Sequence, residues 1–132
     1  MSPPAIDVLA RCPLFAQLQD DDLVAVARIA HERRFVAGET LFFAQEPPKG
    51  LHVVSEGEVK VTVLSPRSGR EIVLTIERPY QSVAELPSFD GGPYPDHATA
   101  VVDTRTVFLP QEAFDRLLLE RPTVARHLLR AL

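Results

Sequence analysis

From about Arg33 to Pro110 the chain is dominated by short alternations of apolar and polar residues, and on either side of that span the apolar positions recur at helical spacing. In "EVKVTVL", Val59, Val61 and Val63 face one way while Glu58, Lys60 and Thr62 face the other, the pattern of a strand buried on one side. "REIVLTI" repeats that pattern with Ile72, Leu74 and Ile76, and "SPRSG" between the two supplies a turn. "ETLFFA", "GLHVVSE", "ATAVVD" and "TVFLP" read as further short strands. In "LQDDDLVAVARIAHERRF" aspartates favour the positive end of a helix, and Leu23, Val26, Ala27 and Ala30 follow at helical spacing, which predicts a helix from about Asp21 to Glu32. "QEAFDRLLLERP" predicts another helix, stopped before Pro122. Short strands broken by glycine and proline, with helices at both ends, predict a mainly β fold with flanking helices, a β-sandwich or jelly roll (double-stranded β-helix).

After Pro122, "TVARHLLRAL" begins a further helix with Val124, Leu128 and Leu132 on one stripe. Such a stripe needs a partner surface, either the sandwich itself or a second copy of the same helix. At 132 residues, 45% of them hydrophobic and 24% charged, the chain fits a single domain. Its net charge of -4 lacks the basicity that draws a protein onto a phosphate backbone, so any contact with DNA falls to other residues. The lone Cys12 excludes an internal disulfide and an all-cysteine metal site. Together with the lack of a membrane-length apolar run or a secretory leader, this leads us to expect a reducing cytoplasm.

Several chemistries fail at particular residues. "HERRF" starts like a zinc-binding helix motif, but the position four after His31 is Phe35. His31, His52, His97 and His127 are scattered, with no close pair of the kind a metal-binding jelly-roll enzyme uses, so each is read as a surface or half-buried residue and no metal site is expected. There is no G-x-S-x-G, P-loop or G-x-G-x-x-G motif. Arg33, Arg34, Arg67 and Arg70 are interrupted by apolar and turn residues and read as solvated strand ends. No catalytic residue is assigned, and a small cupin-like metalloenzyme remains only as a rival reading.

The order helix, about eight strands, helix, then the start of a longer helix carries "PLFAQL" at 13–18, "RRFVAGETLF" at 33–42 and "GLHVVSEGEVKV" at 50–61. With "SGREIVL" at 68–74 and "VAEL" at 83–86, the chain resembles the cyclic-nucleotide-binding domain of Crp/Fnr-type transcription regulators. The resemblance implies a single sensor domain over 1–132. A helix and β-roll would span about 12–121, and residues 122–132 would begin a dimerisation helix carrying Val124, Leu128 and Leu132. The DNA-binding helix-turn-helix that normally follows is not in this sequence, so the chain reads as a sensor half. The implied ligand cassette spans 82–97, and its candidate contacts are Ser82, Val83, Ala84, Glu85, Leu86, Tyr94, Asp96 and His97. In a nucleotide-binding member the residue at Glu85 would hold a ribose hydroxyl, and backbone N–H groups of "SVAELPSF" would face an anion.

Three departures change that picture. Ala84, Gln45 and Tyr80 stand where the family has glycine, and side chains at Gln45 and Tyr80 are expected to fill or reshape the pocket. The arginine that pairs with a cyclic phosphate is missing from Tyr94 to His97, a loss of about 1.5–3 kcal/mol, or roughly ten- to a hundred-fold in affinity. Asp96 beside Glu85 makes the place acidic, and a neutral His97 is a poor substitute for the arginine. The expectation is an effector-sensing, non-enzymatic regulatory domain with a degenerate nucleotide pocket that does not hold cyclic AMP or cyclic GMP tightly. The full regulator would be a homodimer and would bind DNA only through the missing domain. Haem stays open as an alternative effector, and a true nucleotide-binding module that regulates a kinase or channel stays open as an alternative role.

Overall fold

The computed structural model describes residues 3–132. Two helices, α1 (Ala5–Arg11) and α2 (Asp20–Arg28), precede strands β1 (His31–Phe35), β2 (Thr40–Phe42), β3 (Gly50–Glu56), β4 (Val59–Leu64), β5 (Glu71–Glu77) and β6 (Ser82–Val83). The short helix α3 (Leu86–Asp90) follows, then β7 (His97–Ala100), β8 (Thr104–Pro110), α4 (Gln111–Glu120) and α5 (Pro122–Ala131). The strands form two four-stranded antiparallel sheets, ordered β1-β8-β3-β6 and β2-β7-β4-β5. Phe42, Val59, Val61 and Ala98 of one sheet meet Val54 and Val83 of the other in a shared core, so the sandwich expected from the strand pattern is the one observed.

Strands β3 and β8, at the centre of their sheet, are covered on both sides over most of their length. Leu51, Val53, Val107 and Leu109 point to the helices, where they meet Val8, Leu9 and Phe15 near α1 together with Phe114, Val124 and Leu128 of α4 and α5. The alternate positions, including His52, Val54, Thr106 and Phe108, turn inward. That two-sided burial explains why "LHVV" is a continuous buried run instead of an alternation. At the β3–β4 turn Gly57 has φ 97°, and an added Cβ would lie 2.6 Å from the Asp103 carbonyl oxygen, so glycine is required there.

Several expectations are corrected. The helix predicted to run to Glu32 stops at Arg28, because "HERRF" pairs antiparallel with β8. Its aspartates do not cap it through their side chains. Buried Asp22 instead accepts hydrogen bonds from Arg121 Nη1 at 2.9 Å and Thr123 Oγ1 at 2.8 Å, which ties α2 to the start of α5. The β4 alternation breaks at a bulge: Val61 pairs with Thr75 and Thr62 with Val73, the ladder skips Leu74, and Thr62 is buried while Val63 is only half-buried. Strand β5 lies at a sheet edge, so Ile72 and Leu74 are exposed although their spacing reads as a buried face. Val124 and Leu128 are 0% exposed in their own domain's core and are unavailable to a second copy, whereas Leu132 is 47% exposed.

His52 also departs from the surface reading, because it is buried between Phe35 and Phe108 with Nδ1 2.9 Å from Thr106 Oγ1. Burial, reinforced by the charge of Arg33, lowers its pKa from 6.5 to about 3. The unfolded chain therefore takes up this proton first, so the stability that His52 contributes is present above pH 6.5 and is lost as the pH falls toward 3. The shift corresponds to on the order of 4–5 kcal/mol at the acid end. Glu77, raised by burial, acts in the opposite sense but is only half-buried. Urea midpoints followed by circular dichroism should fall between about pH 7 and about pH 4.5, and His52→Gln should flatten that fall; an unchanged slope would show that other groups carry it.

Candidate ligand-binding site

The edge strands of the two sheets, β5 and β6, border a cleft of about 520 Å³. Strand β5 supplies Leu74, Thr75 and Glu77, and the bulge that frees Leu74 from the ladder aims it here. Ser82 comes from β6, Ala84 and Glu85 from the link into α3, and Asp96 from the residue before β7. Pro13 and Leu14, between α1 and α2, close one side, and Ala131 at the end of α5 reaches the rim.

The link is shaped by backbone conformations that side chains resist. Ala84 has φ 47°, in the left-handed region, and Glu85 then turns helical, with Pro87 in the first turn of α3. The helix ends at Gly91, φ 75°, whose N–H donates to the Pro87 carbonyl at 3.0 Å. Gln45 and Tyr80 share the left-handed conformation, each at φ 73°, so all three positions where the sequence resemblance expects glycine keep the glycine backbone without the residue. Hydrogen bonds enforce it: the Gln45 N–H donates to the Tyr94 carbonyl and the Tyr80 N–H to the Val54 carbonyl, both at 2.7 Å.

Neither Gln45 nor Tyr80 fills the cleft, contrary to the expectation from sequence. The Tyr80 ring packs on the helix-side core, and its hydroxyl accepts a hydrogen bond from Arg11 Nη1 at 3.0 Å. Of the candidate contacts, Ser82, Ala84, Glu85 and Asp96 come together at the cleft. Val83 is turned into the core between the sheets, and Leu86 is exposed without lining the cleft. Tyr94 is a core residue: its ring stacks on Phe42 at 3.8 Å, and its hydroxyl donates to the Gly50 carbonyl and accepts from the Lys49 N–H. His97 is also occupied elsewhere, with Nδ1 accepting from the Ala44 N–H at 3.0 Å. Sequence reasoning missed Leu14, Thr75, Glu77 and Ala131. The carboxylate closing "REIVLTIE", only eight residues before Glu85, was a signal available for Glu77.

Among the described residues, three carboxylates, Glu77, Glu85 and Asp96, line the cleft, and no lysine, arginine or histidine does. Burial raises the Glu77 pKa, opposed by the hydrogen bond from Thr75 and reinforced by the charge of Glu85. Among the described residues no group of three or more histidine, cysteine, aspartate or glutamate side chains is placed to hold a metal ion. No helix among them is long and apolar enough to cross a membrane.

A left-handed alanine costs roughly 1–2 kcal/mol, of which glycine would return part after its own unfolded-state entropy is subtracted. Ala84→Gly should therefore raise stability by about 0.5–1 kcal/mol in urea unfolding. Tyr80→Gly should lower it, because the Arg11 contact and the ring packing are lost with the strain. A less stable Ala84→Gly protein would contradict this account of the link.

The model of the family described as "Cyclic nucleotide-binding domain" matches residues 32–121. The CRP-like cAMP-activated global transcriptional regulator of Mycobacterium tuberculosis is 32% identical over 126 residues, which cover 96% of this chain and 56% of that protein. The chain thus spans little more than half the length of that relative. Among solved structures, the N-terminal domain of a transcriptional regulator from Streptomyces coelicolor A3(2) superposes with a TM-score of 0.84 at 38% identity, covering 95% of this chain and 87% of that one. The sensor domain of the transcriptional regulator DNR from Pseudomonas aeruginosa superposes with a TM-score of 0.78 at 26% identity, over 94% and 83% of the two chains.

Proposed function

This chain belongs to the cyclic nucleotide-binding domain family, and on that premise we propose that it is the effector-sensing, non-enzymatic domain of a Crp/Fnr-type transcription regulator, working in the cytoplasm. The observation that carries the reading is the composition of the cleft, in which Ser82, Ala84 and Glu85 meet Ala131 of α5. A ligand seated there touches the end of that helix. It transmits a signal to the extent that it binds one placement of α5 better than another.

In the full regulator α5 pairs two subunits and leads to a DNA-binding domain. The pairing face is not the stripe read from the sequence, since Val124 and Leu128 are already buried. Leu129, 65% exposed, and Leu132 lie on the side left open. The residues of the cleft do not suit a cyclic phosphate: among the described residues no base lines it in place of the missing arginine, and three carboxylates repel an anion. Among the described residues, no histidine lines the cleft to ligate a haem iron there.

Calorimetric titration of cyclic AMP and cyclic GMP into the purified domain, with Glu85→Ala as control, tests the nucleotide half of this proposal. The expected outcome is no saturable heat at millimolar nucleotide. Micromolar binding abolished by the substitution would mean that another group has taken the arginine's place.

A further inference from the structure

We propose that the cleft beside β5 and β6 takes a small organic cation, an amine carrying an aromatic or aliphatic body. This rests on the reading of that cleft as the effector site; its acids decide only the class of ligand. Glu77, Glu85 and Asp96 come from three separate parts of the chain and line one space that, among the described residues, has no basic side chain in its lining. Among the described residues, no ion pair joins any of them to a lysine or arginine. A partly desolvated set of like charges is eased by a cation and made worse by an anion, and the upward push of burial and of Glu85 on the Glu77 carboxyl has the same origin.

The spacing of the acids argues against a bare metal ion, since they do not gather into a metal-holding group. An organic cation can reach separated carboxylates through several N–H donors. Thr75, Ser82 and Gln81 offer further polar contacts, and Leu14, Val61 and Leu74 give the apolar wall for the rest of the molecule. The cleft, at about 520 Å³, falls in the size range of small-molecule sites.

A series of one shape and three charges tests the assignment: tyramine as cation, 2-(4-hydroxyphenyl)ethanol as neutral analogue and 4-hydroxyphenylacetate as anion. Each is titrated into the isotopically labelled chain at about pH 7 while amide chemical shifts are followed. Tyramine should bind saturably, about tenfold or more tighter than the neutral analogue, with shifts centred on residues 75–77, 82–85 and 96, and should weaken as salt is raised. Glu85→Gln and Asp96→Asn, each checked for a folded spectrum, should each weaken tyramine by about tenfold and leave the neutral analogue unchanged. Equal binding of all three probes, preference for the anion at those residues, or no saturable tyramine binding there overturns the cation assignment and leaves the effector-site reading standing. Saturable binding of cyclic AMP or of any probe in the series that maps wholly outside the cleft overturns that reading itself.

Discussion

From Gly50 to Val54 strand β3 has no face in water, and the rest of the molecule is arranged around that constraint. Its alternate residues enter two different cores: Leu51 and Val53 join the helices, while His52 and Val54 meet the second sheet or the aromatic residues beside it. Apolar area removed from water on both sides is the largest favourable term available to a strand. It makes the helical layer and the sandwich parts of one packed body. It also leaves no room for a charged side chain at position 52, which is why the imidazole there is neutral and bonded to Thr106.

The cleft occupies the opposite kind of place. It opens where both sheets run out, at edge strands β5 and β6, and its boundary is made by irregular backbone: a bulge that skips Leu74 and a left-handed Ala84. Edges and bulges are where a sheet can aim a side chain without breaking a complete ladder. The elements flanking the cleft are nonetheless held from far away in sequence. Asp22 fixes Arg121 across a separation of 99 residues, and Val124 and Leu128 anchor the same helix in the core. The terminal residue of α5 therefore reaches the cleft rim from a fixed base, while Leu129 faces outward.

Tyr80, Gln45 and Ala84 show how a fold keeps a backbone shape after the residue that suits it has gone. Each lies in the left-handed region, and the N–H groups of Gln45 and Tyr80 are held in hydrogen bonds to distant carbonyls. The Tyr80 side chain turns to another task, its hydroxyl and ring meeting Arg11. The glycine backbone was thus legible in the sequence through the family resemblance, but the destination of the new side chains was not. The same holds for the candidate contacts: Ser82, Ala84, Glu85 and Asp96 converge as expected, whereas Tyr94 and His97 are absorbed by the Phe42 stack and the Ala44 amide.

By itself the sequence determined most of the strands and their turns, the helices α2, α4 and α5, the family resemblance, and the loss of a phosphate-pairing arginine. These are local matters, set by side-chain period, by glycine and proline, and by which residue types stand within a short segment. Only the tertiary structure decided that "HERRF" is a strand paired with β8, that β5 shows both faces to solvent at a sheet edge, and that the Val124–Leu128 stripe packs on its own domain. It alone brought Glu77 to the cleft that Glu85 and Asp96 also line. A period of two says that a strand has two faces; what covers each face depends on chain segments tens of residues away, and their contributions to burial are invisible along the sequence.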